Sequence, residues 1–127
     1  MVTTHAQANG VPVDLVHRVI MRESRYNPSV VHRGNYGMMQ IKLATARGLG
    51  YTGTAEGLLD PETNLTYAVK YLAGAYRLAN GNHDRAVAYY ASGYYYAAKR
   101  QKLQRARHET ISADARLPGA PLSIAPR

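Results

Sequence analysis

The sequence has no cysteine, no tryptophan and no phenylalanine. Without cysteine, disulfides and thiolate chemistry are excluded, and the redox compartment cannot be read. No apolar run approaches the roughly 20 residues that span a bilayer, so stable membrane insertion is not expected. The first ten residues, MVTTHAQANG, lack the apolar centre of a signal peptide. On that reading the protein is either cytoplasmic or targeted by a segment outside these residues. Acidic side chains are also scarce: 8 Asp and Glu stand against 16 Lys and Arg, a formal charge of +8. That balance favours polyanionic surroundings, whether nucleic acid, anionic lipid or an acidic polymer. Much of the excess lies in one run, KRQKLQRAR, at residues 99–107. The histidines fall at 5, 17, 32, 83 and 108 with no ligand-like spacing, so neither a metal nor a cofactor is expected. No nucleophile elbow supports a Ser/His/Asp triad.

What is present is one domain's worth of chain: 127 residues, 46% of them apolar, with every aromatic a Tyr. Tyrosine suits a wet groove, because its ring stacks while its hydroxyl hydrogen-bonds. The stretch LVHRVIMRESRYNP (residues 15–28) organises the rest. Val16, Val19 and Ile20 mark one helix face. Glu23 falls within about 20° of Val16 on that helix, where the pattern asks for an apolar residue. Pro28 disfavours helical geometry at Asn27, so the helix ends near residues 24–26 and Glu23 lies in its last turn. Desolvation and the negative end of the helix dipole both disfavour the carboxylate. An acid that keeps its proton near neutral pH suits general acid catalysis. The plainer alternative is a solvated Glu paired with Arg22 or Arg25.

Residues 1–10 read as a lead-in, and Pro12 with Asp14 starts a helix over 12–25. Residues 32–37 read as a loop with Gly34 and Gly37 at special backbone angles. Residues 37–41, GMMQI, enter a short helix that stops at Gly48. Gln40 carries a donor and an acceptor suited to sugar hydroxyls or an acetamide, although a surface Gln beside core Met would look the same. A helical turn fits residues 55–59. Asp60-Pro61-Glu62 is a strong helix start. Leu65, Ala68, Val69, Leu72, Ala73 and Tyr76 then follow at helical spacing, and Asn80-Gly81 closes the helix. Asp84 caps another helix with Val87, Tyr90 and Ala91 on its inner face, and Gly93 interrupts it. From residue 110 the sequence is rich in Ala and Pro without periodicity, which reads as a tail. The expected fold is all-α, with five or six short helices of unequal length, no credible strand pair and no significant β-sheet.

Four stretches now stand in one order: Glu23-Ser24 followed by Asn27-Pro28; Gly37-Met38-Met39-Gln40; a helix carrying Asn64; and Ala88-Tyr89-Tyr90-Ala91-Ser92-Gly93. In this the chain resembles the catalytic domain of the soluble lytic transglycosylases, which have a goose-type lysozyme fold. That family writes the stretches as Glu-Ser with Asn-Pro, Gly-Leu-Met-Gln, a helix Asn, and Ala-Tyr-Asn-Ala-Gly. The resemblance covers about residues 5–98 and assigns a catalytic domain to 11–109, with a tail at 110–127. It implies Glu23 as the catalytic acid/base, and Ser24, Met39, Gln40 and Tyr90 as substrate-binding residues, the Tyr90 hydroxyl approaching the Glu. Asn64 and Gly37 take structural parts. Three departures stand out. Met38 replaces Leu, nearly conserving volume. Ala91 and Ser92 replace Asn and Ala, so any substrate contact made there by the family's Asn is lost or passes to Ser92. Tyr94-Tyr95 replaces a Pro-Gly.

The resemblance implies peptidoglycan as substrate, a periplasmic or cell-envelope location and action as a monomer. Ordinary glycosidases need two carboxylates. Here Asp14 faces away from Glu23, Asp60 and Asp84 look like caps, and Glu109 and Asp114 lie beyond the fold, leaving Glu56 and Glu62. A transglycosylase needs one carboxylate and forms a 1,6-anhydro sugar with no cofactor. The rival readings are a muramidase hydrolysing on the same fold, a non-catalytic peptidoglycan-binding module, and a basic nucleic-acid binder resting on residues 99–107. That run follows the motifs and reads more simply as a solvated helix face, so nucleic acid is not an expected partner.

Overall fold

A computed structural model describes residues 1–93. The basic run 99–107, the tail 110–127, Tyr94, Tyr95, Glu109 and Asp114 lie outside the described residues. Helices α1 (Val2–Ala8), α2 (Val13–Ser24), α3 (Leu43–Gly48), α4 (Pro61–Leu78) and α5 (His83–Ser92) make up most of them. Three two-residue strands, β1 (Val31–His32), β2 (Asn35–Tyr36) and β3 (Ile41–Lys42), and a 3-10 turn at Glu56–Leu59 complete the set.

The long helices follow their sequence signals. Pro12 precedes α2 as its N-cap and Asp14 lies in its first turn. Leu15, Val16, Val19 and Ile20 bury the predicted face. Asp60 caps α4 by accepting from the N–H of Thr63 at 2.9 Å, with Pro61 at the first helical position. Its stripe of Leu65, Ala68, Val69, Leu72 and Ala73 is buried. Each fully buried Leu or Ile contributes about 1.5–3 kcal/mol relative to exposure. Asn80 and Gly81, at φ 52° and 81°, turn the chain out of α4 as expected. Helix α5 packs on α4, and α1 touches both α2 and α4.

Four expectations are corrected. The lead-in is helical: Ala6 is fully buried, Val11 returns its N–H to the Ala6 carbonyl, and His5 bonds Glu62 in the first turn of α4. Tertiary contacts hold α1, and seven residues are too few for a readable period. Residues 31–42 are strands and turns rather than loop and helix. Val31 pairs with Tyr36, and Tyr36 with Ile41, both antiparallel. Turn geometry makes these pairs, since Arg33 and Gly34, at φ 53° and 75°, form a two-residue hairpin turn. Asn82 rather than Asp84 caps α5, accepting from the Arg85 N–H at 2.9 Å, while Asp84 accepts from Arg18 at 2.7 Å and ties α5 to α2. Ala91 is exposed, because the inner face of α5 runs through Ala86, Val87 and Tyr90.

Candidate active site

Glu23 sits in the last turn of α2, in line with the buried Val16 and Val19. Its side chain retains 21% of its exposure. Desolvation raises its pKa above the ordinary 4.5, against the opposing pull of Arg22. Arg22 donates to Glu23 Oε2 at 3.2 Å, the ion pair that the sequence had offered as the plainer alternative. Asp14, Glu56, Asp60, Glu62 and Asp84 are all exposed. Glu23 is therefore the only carboxylate among the described residues that is partly withdrawn from water.

Next to it, Ser24 is buried and points inward. Its hydroxyl donates to the Met38 carbonyl at 2.7 Å, with the Ile20 carbonyl a longer second acceptor at 3.3 Å. This joins the end of α2 to the turn of residues 37–40. Asn64, fully buried on α4, grips the same turn: its Oδ1 accepts from the Met39 N–H at 2.9 Å. Its Nδ2 donates to the carbonyls of Tyr36 and Leu58, both at 2.8 Å. A buried amide that is almost fully paired stabilises, where an unpaired one would cost. From α5, the Tyr90 hydroxyl donates to the Met39 carbonyl at 2.6 Å, and its ring meets Tyr71 edge-on at 5.5 Å.

Three helices thus clamp one turn, and Gly37 lets the turn fit. It has φ 77°, and a Cβ there would collide with the Asn64 amide and the Leu58 carbonyl. Gln40 also has positive φ, at 54°, and its Nε2 donates to the carbonyls of Val30 and Gly37, each at 3.0 Å. The hydrogen bonds connect Ser24, Gly37, Met39, Gln40, Asn64 and Tyr90 into one assembly, with Glu23 adjoining Ser24. Met39 takes part through its backbone, since its side chain is fully buried. Ala91 and Ser92 stand exposed one and two residues past Tyr90.

The sequence reading missed the backbone strain around this site. Among the described residues, Arg25, Tyr26, Arg33 and Gln40 are four of the five non-glycine residues at positive φ. Such strain concentrates where surrounding structure imposes it for a purpose. Tyr26 is held by a 2.6 Å hydrogen bond to Nδ1 of His17 and by a ring contact at 5.9 Å. The Asn27-Pro28 pair that follows was the only hint of an irregular exit from α2.

A family model described as "Transglycosylase SLT domain" matches residues 1–113. The chain belongs to that family. The match begins at residue 1 and so includes α1. The SLT domain here is also 38% identical over 92 residues to "Peptidoglycan transglycosylase gp16" of Escherichia phage T7, covering 69% of this chain and 7% of that relative. The expected helical SLT fold agrees with the five helices and small sheet described above. No helix among the described residues is long and apolar enough to cross a membrane.

Proposed function

We propose that this SLT domain cleaves the MurNAc-β-1,4-GlcNAc bonds of peptidoglycan as a lytic transglycosylase with Glu23 as its single acid/base. The observation that carries the proposal is the environment of Glu23. It alone among the described carboxylates is partly withdrawn from water, and burial favours its protonated form. The phage relative's name and the family match support the substrate class.

In this reading Glu23 protonates the glycosidic oxygen as the C1–O bond breaks. The substrate's own acetamide stabilises the oxocarbenium centre, which removes the need for a second carboxylate. Deprotonated Glu23 then takes the proton of the C6 hydroxyl as that oxygen bonds to C1. The product is a 1,6-anhydromuramic end, and the acid is regenerated. Arg22 holds the carboxylate within the turnover, between the two proton transfers. Ser24, Met39, Gln40 and Tyr90 support the groove chiefly by fixing the turn beside Glu23, while Ser92 offers the exposed hydroxyl near the position of the family's Asn. The enzyme acts at the cell envelope and uses no cofactor.

The mass of products released from purified sacculi tests this. Anhydro products are lighter by one water than hydrolysed ones. Hydrated products alone would make the protein a muramidase. Binding without release of soluble fragments would make it a non-catalytic module.

A further inference from the structure

The elements around Glu23 carry a lopsided charge. Between residues 15 and 55 the chain has six cations, Arg18, Arg22, Arg25, Arg33, Lys42 and Arg47, and one acid, Glu23. Arg18 is paired with Asp84 and Arg22 with Glu23. Among the described residues, Arg33 and Lys42 have no carboxylate partner. They meet at one place: Lys42 donates through Nζ to the Arg33 carbonyl at 3.4 Å, at the tip of the β1–β2 hairpin. Both are exposed.

Arg33 is an unusual residue for that tip. It takes the first central position of a turn in which both residues have positive φ, and Asn, Asp or Gly meets that demand at lower cost. A strained cation kept at an exposed tip points to a use outside the fold. The hairpin is rooted beside Glu23. At its base the Gly37 N–H donates to the Val30 carbonyl at 2.8 Å, and Ser24 bonds the next residue, Met38. Extended chain advances about 3.3 Å per residue, so the tip stands on the order of 10 Å from that root.

We infer that the Arg33–Lys42 tip binds the free carboxylates of the peptide stems on the glycan being cut. The inference rests on the peptidoglycan reading above. Once each lactyl group is amide-linked to its stem, the N-acetylated glycan is uncharged, and the substrate's anionic groups are the carboxylates of the stems. Arg33 offers a planar fork to a carboxylate, and Lys42 adds a point charge beside the Arg33 main chain. Both groups face solvent, so their pull weakens with salt.

The test compares purified sacculi with the same sacculi after carbodiimide coupling to ammonia, which converts stem carboxylates to amides. Wild type should release soluble fragments from the native material about five- to tenfold faster, the scale of two solvent-exposed charge pairs, and the advantage should fade as salt rises. The double variant Arg33→Asn/Lys42→Gln should digest both materials at one common rate. Arg33→Asn alone should raise the melting temperature, because Asn tolerates the left-handed region, so slower digestion of native sacculi by that variant cannot come from a weakened fold. Equal wild-type rates on both materials would overturn the inference, as would a parallel loss by the double variant on both. If wild type cleaves neither material, the peptidoglycan reading fails and the inference falls with it.

Discussion

Tyr90 and Met39, 51 residues apart in sequence, are joined by a 2.6 Å hydrogen bond from a side-chain hydroxyl to a main-chain oxygen. The bond fixes the turn beside the candidate acid from the α5 side. Tyr90→Phe keeps the ring on Tyr71 but leaves the Met39 carbonyl short of a donor. The unpaired buried carbonyl should cost about 1–3 kcal/mol, read as a lower urea midpoint at unchanged slope. Lytic activity should fall severalfold at temperatures where the variant is still folded. Unchanged activity would show that the turn holds its place without α5.

Glu23→Gln should abolish release of soluble fragments while keeping the fold, because the amide matches the acid in size but has no proton to give. Residual lysis above about one percent of wild type would point instead to Glu56 or Glu62, since loss of the essential acid should remove far more than general acid–base catalysis supplies at its weakest. Wild-type activity should decline as pH rises through the folded-state pKa of Glu23, which burial holds above 4.5. The stability effect has the same direction. Between 4.5 and the raised folded value, the unfolded chain loses this proton first, so wild type loses stability as pH rises through that window. The melting temperature of Glu23→Gln relative to wild type should therefore rise from acid to neutral pH. A difference that stays flat would mean that Glu23 is not destabilised by its burial.

Gly37→Ala should be among the most damaging single-methyl changes in the domain. The residue sits at φ 77°, and the added Cβ meets the Asn64 amide and the Leu58 backbone, neither of them a flexible side-chain end. A cost of about 3 kcal/mol or more follows from left-handed strain combined with disruption of a buried hydrogen-bond network. Thermal melting measures it, and a shift of only a degree or two would mean that the turn relaxes easily.

Ala91→Asn should leave stability nearly unchanged, because the position is exposed at the last turn of α5. Activity on sacculi should hold or rise, since the amide restores the family's group one residue past Tyr90. A loss of more than tenfold, well beyond the usual effect of one exposed contact, would show that substrate needs the space Ala91 leaves open.

Glu23 was legible in the sequence because a long amphipathic helix makes one charged residue on its apolar face conspicuous. Helix α4 was legible for the same reason, with the Asp60 cap and the Asn80-Gly81 exit in plain view. The β1–β3 region was not. Strands of two residues carry no alternation, and the positive φ of Arg33 and Gln40 has no marker in residue type. The motif also left unread how its polar side chains are held. Ser24 and Gln40 were expected at the substrate and Asn64 in a structural part, and all three direct hydrogen bonds to the domain's own backbone, Ser24 and Asn64 from buried positions. Only tertiary structure tells a polar residue that touches substrate from one that shapes the place where substrate lies.

The three clamps on residues 37–40 reach across 14, 25 and 51 residues of sequence. A ribosome completes α2 and its carboxylate long before Tyr90 emerges. A nascent chain, or one clipped ahead of α5, holds the acid without the last fastening of the floor beside it. For a protein proposed to cut the wall enclosing the cell that makes it, that order of assembly leaves the acid incompletely framed until nearly all of the described chain has been translated and folded.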